Sequence, residues 1–285
     1  MTPKLVHTIA EVRELHDRAR RDGGTVGLVP TMGYLHDGHG SLMVAAAKEC
    51  DLVTATIFVN PLQFAPTEDL SSYPRDLERD LAIAGEAGVD IVFAPSGAEM
   101  YPHGNVLTEV AVPALAVRWE GASRPGHFGG VATVVAKLFA IAGPCRSYFG
   151  EKDYQQLQVV RRMAFDLSLP VDIVGCPIVR EADGLAMSSR NVYLEPAERA
   201  AATVLKLALD TAIAAIEHGE RSGAAVTAML ARVVGAEPLA ELDYGAAVDA
   251  ATLEPLAVLT GDVRLLITAR VGRPRLLDNC GITIS

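Results

Sequence analysis

The sequence predicts an α/β protein: an open parallel sheet with helices on both faces, followed by a small C-terminal α+β domain. Short, continuously apolar runs at 25–30, 52–59, 89–94, 147–150 and 171–179 suit strands covered on both faces. Stretches of helical spacing separate them, and strands alternating with helices make a parallel sheet. After Asn191 the composition turns alanine-rich and helical, then gives way to closely spaced strand-like runs, which sets off the tail.

Residues 7–21 read as the first helix. The run at 25–30 is stopped by Pro30, because proline lacks the N–H that a central ladder needs. Helical character returns at 41–50, a β-branched strand follows at 52–59, and 73–87 carries charges at helical spacing before the run at 89–94. Residues 130–142 read as a helix, 147–150 as a short strand, 154–167 as a helix and 171–179 as the fifth strand. The tail reads as helices at 195–217 and 222–234 and strands at 242–248, 256–259 and 263–271. The expected domains are 1–182 and 183–285.

The 285 residues include 25 Lys+Arg against 35 Asp+Glu, a formal charge of −10. A nucleic-acid-binding surface needs the opposite sign, so nucleic acid is not an expected partner. Half of the residues are hydrophobic, enough for a core and against global disorder. The long apolar run 130–143 is interrupted by Lys137 and is shorter than the roughly 18–20 residues of a membrane span. The start of the chain shows no export-signal pattern, so the cytoplasm is the expected location. Cys50, Cys145, Cys176 and Cys280 form no C-x-x-C pair, and reduced, mostly buried thiols are expected rather than zinc ligands or disulfides.

Three loops that follow strands carry candidate chemistry. In the first, Gly38 separates His36 and His39 between a strand and a helix. Ligands of open α/β sheets bind beyond the carboxyl ends of the strands, where a helix N-terminus offers N–H groups to phosphate. Two imidazole donors there suit charge building on a phosphorus centre; a surface turn or metal ligation are the alternatives. In the second, Gly150, Glu151, Lys152 and Asp153 join a strand end to a helix start, so Lys152 either reaches a phosphate or is solvated beside a capping Asp153. In the third, Ser188, Ser189 and Arg190 offer two hydroxyls and a guanidinium, as a phosphate clamp or as a linker with an N-cap. Asn60 and Gln63 place two amides after the second strand, suited to an uncharged polar substrate or to a turn at Pro61. Arg124 and His127 offer an anion contact or a simple turn. No Walker A sequence and no G-x-G-x-x-G occurs.

The motifs VPTMGYLHDGH (29–39), IFVNPLQF (57–64), YPR (73–75), EGASRPGHF (120–128), FGEKDYQQ (149–156) and DGLAMSSRN (183–191) together resemble the pantoate–β-alanine ligase, or pantothenate synthetase, family. The resemblance covers nearly the whole chain, through RLLDN at 275–279. It implies a Rossmann-like fold of the nucleotidylyltransferase group, with an ATP- and pantoate-binding catalytic domain and a C-terminal domain that closes over the active site. The implied reaction joins (R)-pantoate to β-alanine, releasing AMP and pyrophosphate through a pantoyl-adenylate. ATP and Mg2+ are the implied co-substrate and ion, and a homodimer the implied assembly.

Residue roles come with the resemblance. Met32, Gly33, Tyr34, Leu35, His36, Asp37, Gly38 and His39 would contact ATP, with His39 as proton donor. Gly150, Glu151, Lys152 and Asp153 would form a second ATP segment, and Val179 would meet adenine through its backbone. Met187, Ser188, Ser189 and Arg190 would close over the pyrophosphate. The catalytic groups would be His36, His39, Lys152, Ser188, Ser189 and Arg190. Pantoate would lie against Pro30, Met32, Gln63 and Gln156, with β-alanine beside Gln63. Magnesium would bridge triphosphate oxygens through mostly water ligands, so no protein metal motif is expected. One departure is Gly40, where the family usually carries a larger apolar residue. Glycine in a helix interior costs roughly 1 kcal/mol and is expected to loosen the histidine loop. The competing readings are an adenylyltransferase for a phosphorylated acceptor and a catalytically silent ATP sensor. A tRNA ligase fits less well, since the acidic tail has no basic stripe.

Overall fold

The computed structural model describes residues 2–65, 70, 73–104 and 106–285. The chain forms two compact units, one of Met1–Glu151 and Gln155–Pro177, the other of Lys152–Tyr154 and Ile178–Ser285.

The first unit is built on strands β1 (Lys4–Val6), β2 (Val26–Thr31), β3 (Leu52–Ile57), β4 (Ile91–Phe93), β5 (Cys145–Gly150) and β6 (Val171–Cys176). Among the described residues they make one parallel six-stranded sheet in the order β1-β4-β3-β2-β5-β6. Five strands were expected. The sixth, β1, has three residues, too few to register as an apolar run, and is recruited by pairing Lys4, Leu5 and Val6 with Ile91, Val92 and Phe93. The order switches at β2, which has β3 on one side and β5 on the other. Ligands of such sheets bind at this switch point, beyond the carboxyl ends of the strands.

The connections are α1 (Ile9–Arg21), α2 (Asp37–Glu49), α3 (Leu77–Glu86), the single-turn helices α4 (Gly97–Met100), α5 (Pro113–Ala116) and α6 (Glu120–Ser123), then α7 (His127–Ala142) and α8 (Tyr154–Asp166). Val53 and Ala55 of β3 share an apolar core with Met43 and Ala46 of α2, whereas Thr54 between them meets His16 of α1. Successive strand residues point to opposite faces, so these helices cover both sides of the sheet. The helix expected over 73–87 begins only at Leu77, where the Asp76 carboxylate caps Arg79 N at 3.1 Å.

His16 is fully buried, with Nε2 2.8 Å from Thr54 Oγ1, and burial lowers its pKa to about 4. The folded state therefore resists protonation that the unfolded chain accepts near pH 6.5. Stability is complete above pH 6.5 and falls between there and pH 4. His16→Gln keeps a donor near the Nε2 position but does not titrate. The stability of the wild type relative to His16→Gln is expected to fall by about 2 kcal/mol between pH 7 and pH 4.5. Urea unfolding at the two pH values measures it, and a constant difference would contradict the assignment.

The second unit contains α9 (Pro196–Ala201), α10 (Val204–Glu217), α11 (Gly223–Gly235) and the antiparallel sheet β7 (Ala240–Asp249), β8 (Gly261–Val271), β9 (Arg275–Ile284), in that order. Leu205, Leu209 and Leu230 from the helices pack with Leu265 and Ile267 of β8. Two expectations are corrected. The helix at 195–217 is broken between Ala201 and Val204, and residues 256–259 lie outside the sheet, touching it by no ladder but making the isolated bridge Ser222↔Val258. The third strand is β9, where Asp278, Asn279 and Gly281 break the apolar pattern.

All four cysteines are free thiols. Cys176 is buried, but Cys50, Cys145 and Cys280 are only partly so, fewer buried than expected. Among the described residues, no helix is long and apolar enough to cross a membrane.

Candidate active site

The histidine loop leaves β2 at the switch point. Its path requires two successive left-handed residues, Gly33 (φ +85) and Tyr34 (φ 51). A Cβ on Gly33 would lie 2.9 Å from Ile57 Cγ2 and 3.0 Å from Asp80 Oδ2, so glycine is required by space as well as by φ. The helix begins at Asp37, four residues earlier than expected, and its cap is histidine rather than one of the usual short polar residues. His36 Nδ1 accepts from Gly38 N at 3.1 Å, and His39 Nδ1 accepts from His36 N at 3.4 Å. The two ring centroids lie 4.1 Å apart, with the planes tilted by 40°. A neutral imidazole that accepts at Nδ1 carries its proton at Nε2. The cap thus makes both histidines Nε2–H donors at the positive end of a 13-residue helix. Gly38 and Gly40 are ordinary helical residues here, and a Cβ at Gly40 would meet open space.

The loop is held by a residue that sequence reading missed. Asp80 of α3 is 1% exposed, and its Oδ2 and Oδ1 accept from Tyr34 N (2.8 Å) and Leu35 N (2.7 Å). Burial pushes its carboxyl above the ordinary value, and these two amide hydrogen bonds pull the other way. Arg79, one residue earlier, places its guanidinium 5.2 Å from the Tyr34 ring centroid. A carboxylate among the apolar positions of an amphipathic helix, with Ala84 four residues on, was the available signal.

The two amides after β3 act together. Asn60 is buried, and its Oδ1 accepts from Tyr101 OH at 2.8 Å. That fixes Nδ2 as donor to Gly130 O (3.1 Å) and to Gln63 Oε1 (3.2 Å). Gln63 must then present Nε2, which lies 2.9 Å from Met32 Sδ. The relay makes Gln63 a hydrogen-bond donor beside Met32, suited to an oxygen acceptor. His127 Nδ1 and Arg124 meet the Gln63 carbonyl at 3.0 and 3.4 Å, so this turn braces Gln63. Gly130 is needed for the approach, since a Cβ there would fall 2.2 Å from Leu62 O. Gln155 spends its amide on Glu120 N, Leu115 O and Arg118 O, whereas half-buried Gln156 makes no side-chain hydrogen bond among the described residues. Pro30, expected to stop the strand, lies inside β2, paired with Thr56 and followed by Thr31, and is half-buried.

In the second unit, Lys152, Ser188, Arg190 and Arg275 line one small cavity, although 152 and 188–190 are far apart in sequence. Lys152 Nζ lies 3.5 Å from Asp153 Oδ1, a loose pair. Ser188 Oγ accepts from Arg190 N at 3.2 Å and caps the 3-10 turn Ser189–Tyr193. This segment is braced behind: Arg199 pairs with Glu181 and Asp183 at 2.6 Å each, and Asn191 Nδ2 donates to Glu181 at 2.9 Å. The Val179 carbonyl accepts from Met187 N at 3.0 Å. Gly150 ends β5 in the first unit, with Glu151 next to it. Among the described residues, no group of three or more His, Cys, Asp or Glu could hold a metal ion.

A switch-point sheet with paired imidazole donors at a helix N-terminus defines a doubly wound α/β enzyme. Residues 4–281 match the family model described as Pantoate-beta-alanine ligase. The chain is 55% identical to a pantothenate synthetase of Roseiflexus sp. (strain RS-1), covering 97% of this chain and 98% of that one. It is 52% identical to one of Heliobacterium modesticaldum, over 99% and 100%. A crystal structure of pantothenate synthetase from Thermus thermophilus superimposes with a TM-score of 0.92 at 51% identity, over 97% and 98% of the two chains. The pantoate-beta-alanine ligase of Francisella tularensis, complexed with beta-gamma ATP and beta-alanine, gives 0.78 at 32% identity, over 98% and 97%. The chain belongs to the pantoate-beta-alanine ligase family and is a ligase of that specificity.

Proposed function

We propose that the chain makes pantothenate in two half-reactions. A carboxylate cannot acylate an amine directly, because its leaving group would be oxide. In the first step a pantoate carboxylate oxygen attacks the α-phosphorus of ATP and pyrophosphate departs, leaving pantoyl-adenylate. In the second, the neutral amine of β-alanine attacks the acyl carbon, the C–O bond to AMP breaks, and the amine gives up a proton. Negative charge grows on phosphoryl oxygens in the first step and is best met by donors already in place.

Phosphate is met by Nε2–H of His36 and His39, with His39 as proton donor, on the segment from Met32 through Gly33, Tyr34, Leu35, Asp37 and Gly38. Lys152 and, from Met187 onward, Ser188, Ser189 and Arg190 serve the leaving pyrophosphate, while Gly150, Glu151 and Asp153 flank the lysine. Val179 meets adenine through its backbone. Pantoate lies against Pro30 and Met32 with hydrogen bonds from Gln63 and Gln156, and β-alanine approaches beside Gln63. Magnesium would come with ATP, held by the nucleotide and water rather than by protein carboxylates, and would supply positive charge that offsets the triphosphate. The enzyme works in the cytoplasm as a homodimer.

The observation that carries this reading is the histidine cap, whose Nδ1 acceptors leave both protons at Nε2. The test is exchange of labelled pyrophosphate into ATP with magnesium and without β-alanine. Exchange that depends on pantoate is expected. ATP binding with neither exchange nor turnover with β-alanine would establish a silent sensor instead.

A further inference from the structure

Lys152 follows β5 in sequence, yet Lys152–Tyr154 packs with the second unit. The cause is a set of contacts from the C-terminal sheet. Asn279 of β9 is 2% exposed, and its Nδ2 donates to Lys152 O at 2.7 Å. Its Oδ1 accepts from Arg264 Nε of β8 at 2.7 Å, so the orientation of the amide is set and its donor end faces the lysine peptide. Gly281 is the ladder partner of Arg264, which puts Arg264 and Asn279 on one face as diagonal neighbours. The Arg264 guanidinium lies 3.9 Å from the centroid of the Tyr154 ring, and Tyr154 OH donates to Ala250 O at 3.0 Å. Residues 152 and 154 are thereby held to one face of the sheet, by Asn279 and Arg264.

The neighbouring residue does the same for the other phosphate segment. Asp278, 3% exposed, takes Arg180 in a bidentate pair (2.6 and 2.9 Å), and Arg180 Nη1 also donates to Gly184 O at 3.0 Å, at the base of the turn leading to Met187 and Ser188. Asp278 Oδ1 accepts from Asn279 N at 2.7 Å, which joins the two anchors. A flexible four-carbon side chain delivers its charge only as accurately as its backbone is placed, and among the described residues Lys152 Nζ has the loose pair with Asp153 to guide it.

We propose that Asn279 is a positioning residue for Lys152, and that with Asp278 it makes β9 the common mount for the lysine and the segment Ser188 to Arg190. The inference rests on the adenylation role proposed for Lys152. It is tested by a double-mutant cycle of Asn279→Asp and Lys152→Ala in the full-length enzyme, read as pantoate-dependent pyrophosphate exchange. The aspartate keeps the shape but turns an oxygen toward Lys152 O.

Alone, Asn279→Asp is expected to lower the adenylation rate about 10-fold or more with the pantoate KM within about 2-fold, and in the Lys152→Ala background to lower it less than about 2-fold further. A merely structural residue would lower both backgrounds equally. Such multiplying losses, or a wild-type rate in Asn279→Asp, overturn the inference. If circular dichroism shows Asn279→Asp unfolded, Arg264→Lys, which removes the Nε donor but keeps a cation beside Tyr154, enters the same cycle under the same criterion. No exchange in the wild type, or full exchange in Lys152→Ala, would overturn the adenylation reading along with this one, whereas an Asn279 effect that survives loss of Lys152 overturns this one alone.

Discussion

Lys152→Ala is expected to lower the single-turnover rate of adenylation by about 10²–10⁴-fold, the range for removing a preorganised charge that meets transition-state charge. The fold should tolerate the change. Only the side chain is lost, its ion pair with Asp153 is loose at 3.5 Å, and the carbonyl that Asn279 holds remains. Loss of an interaction made mainly in the transition state reduces kcat and kcat/KM together, with little change in pantoate binding. Rapid-quench measurement of adenylate formation, paired with thermal unfolding, checks both halves. A rate within about 3-fold of wild type in a folded protein would remove Lys152 from the phosphoryl step.

Asp80→Ala has the second largest expected effect, and it acts without touching a substrate. The substitution strands two amide N–H groups, those of Tyr34 and fully buried Leu35. Each stranded buried donor costs about 1–3 kcal/mol, so a loss of about 2–4 kcal/mol in unfolding free energy is expected. The left-handed pair Gly33 and Tyr34 loses its tether, and the cap built by His36 and His39 loses its fixed entry. Adenylation should fall about 10–100-fold, with Asp80→Asn between the two because its amide oxygen still accepts one bond. Denaturant unfolding and pyrophosphate exchange on the same samples are the measurements. Normal exchange in a destabilised protein would show that the loop holds its shape without Asp80.

The parts of the fold that could be read from the sequence are those with local signatures. Runs such as 25–30 and 52–59 are largely apolar because the sheet is covered on both faces; β3 lies within the second, and β2 follows the first but continues past Pro30 to Thr31. What escaped is set by pairing at a distance. Strand β1 exists because β4 offers it an edge, and β9 is held in register by β8 despite its polar residues. The run at 256–259 is apolar but has no ladder partner in the sheet. The start of α2 escaped for a chemical reason, since glycines and a histidine cap are weak helix signals even where the backbone is helical.

The site divides in the same way. The histidine, lysine and Ser-Ser-Arg segments proposed for the site stand out in the sequence because each sets basic side chains beside glycine or serine in a loop. Asp80, Tyr101 and Asn279 could not, because each acts on a partner more than 40 residues away: 46 for Tyr34, 41 for Asn60, 127 for Lys152. Spacing along a helix or strand carries no trace of such contacts. They determine how the loop enters the histidine cap, which end of an amide faces outward, and which unit carries the lysine.

The central claim is that the pantoate carboxylate attacks the α-phosphorus of ATP. Pantoate labelled with ¹⁸O in both carboxylate oxygens, turned over with ATP and β-alanine, tests it by mass spectrometry of the products. One labelled oxygen in each AMP, with unlabelled pyrophosphate, is the predicted result. Label in inorganic phosphate with ADP as the nucleotide product would place the attack at the γ-phosphorus and contradict the account.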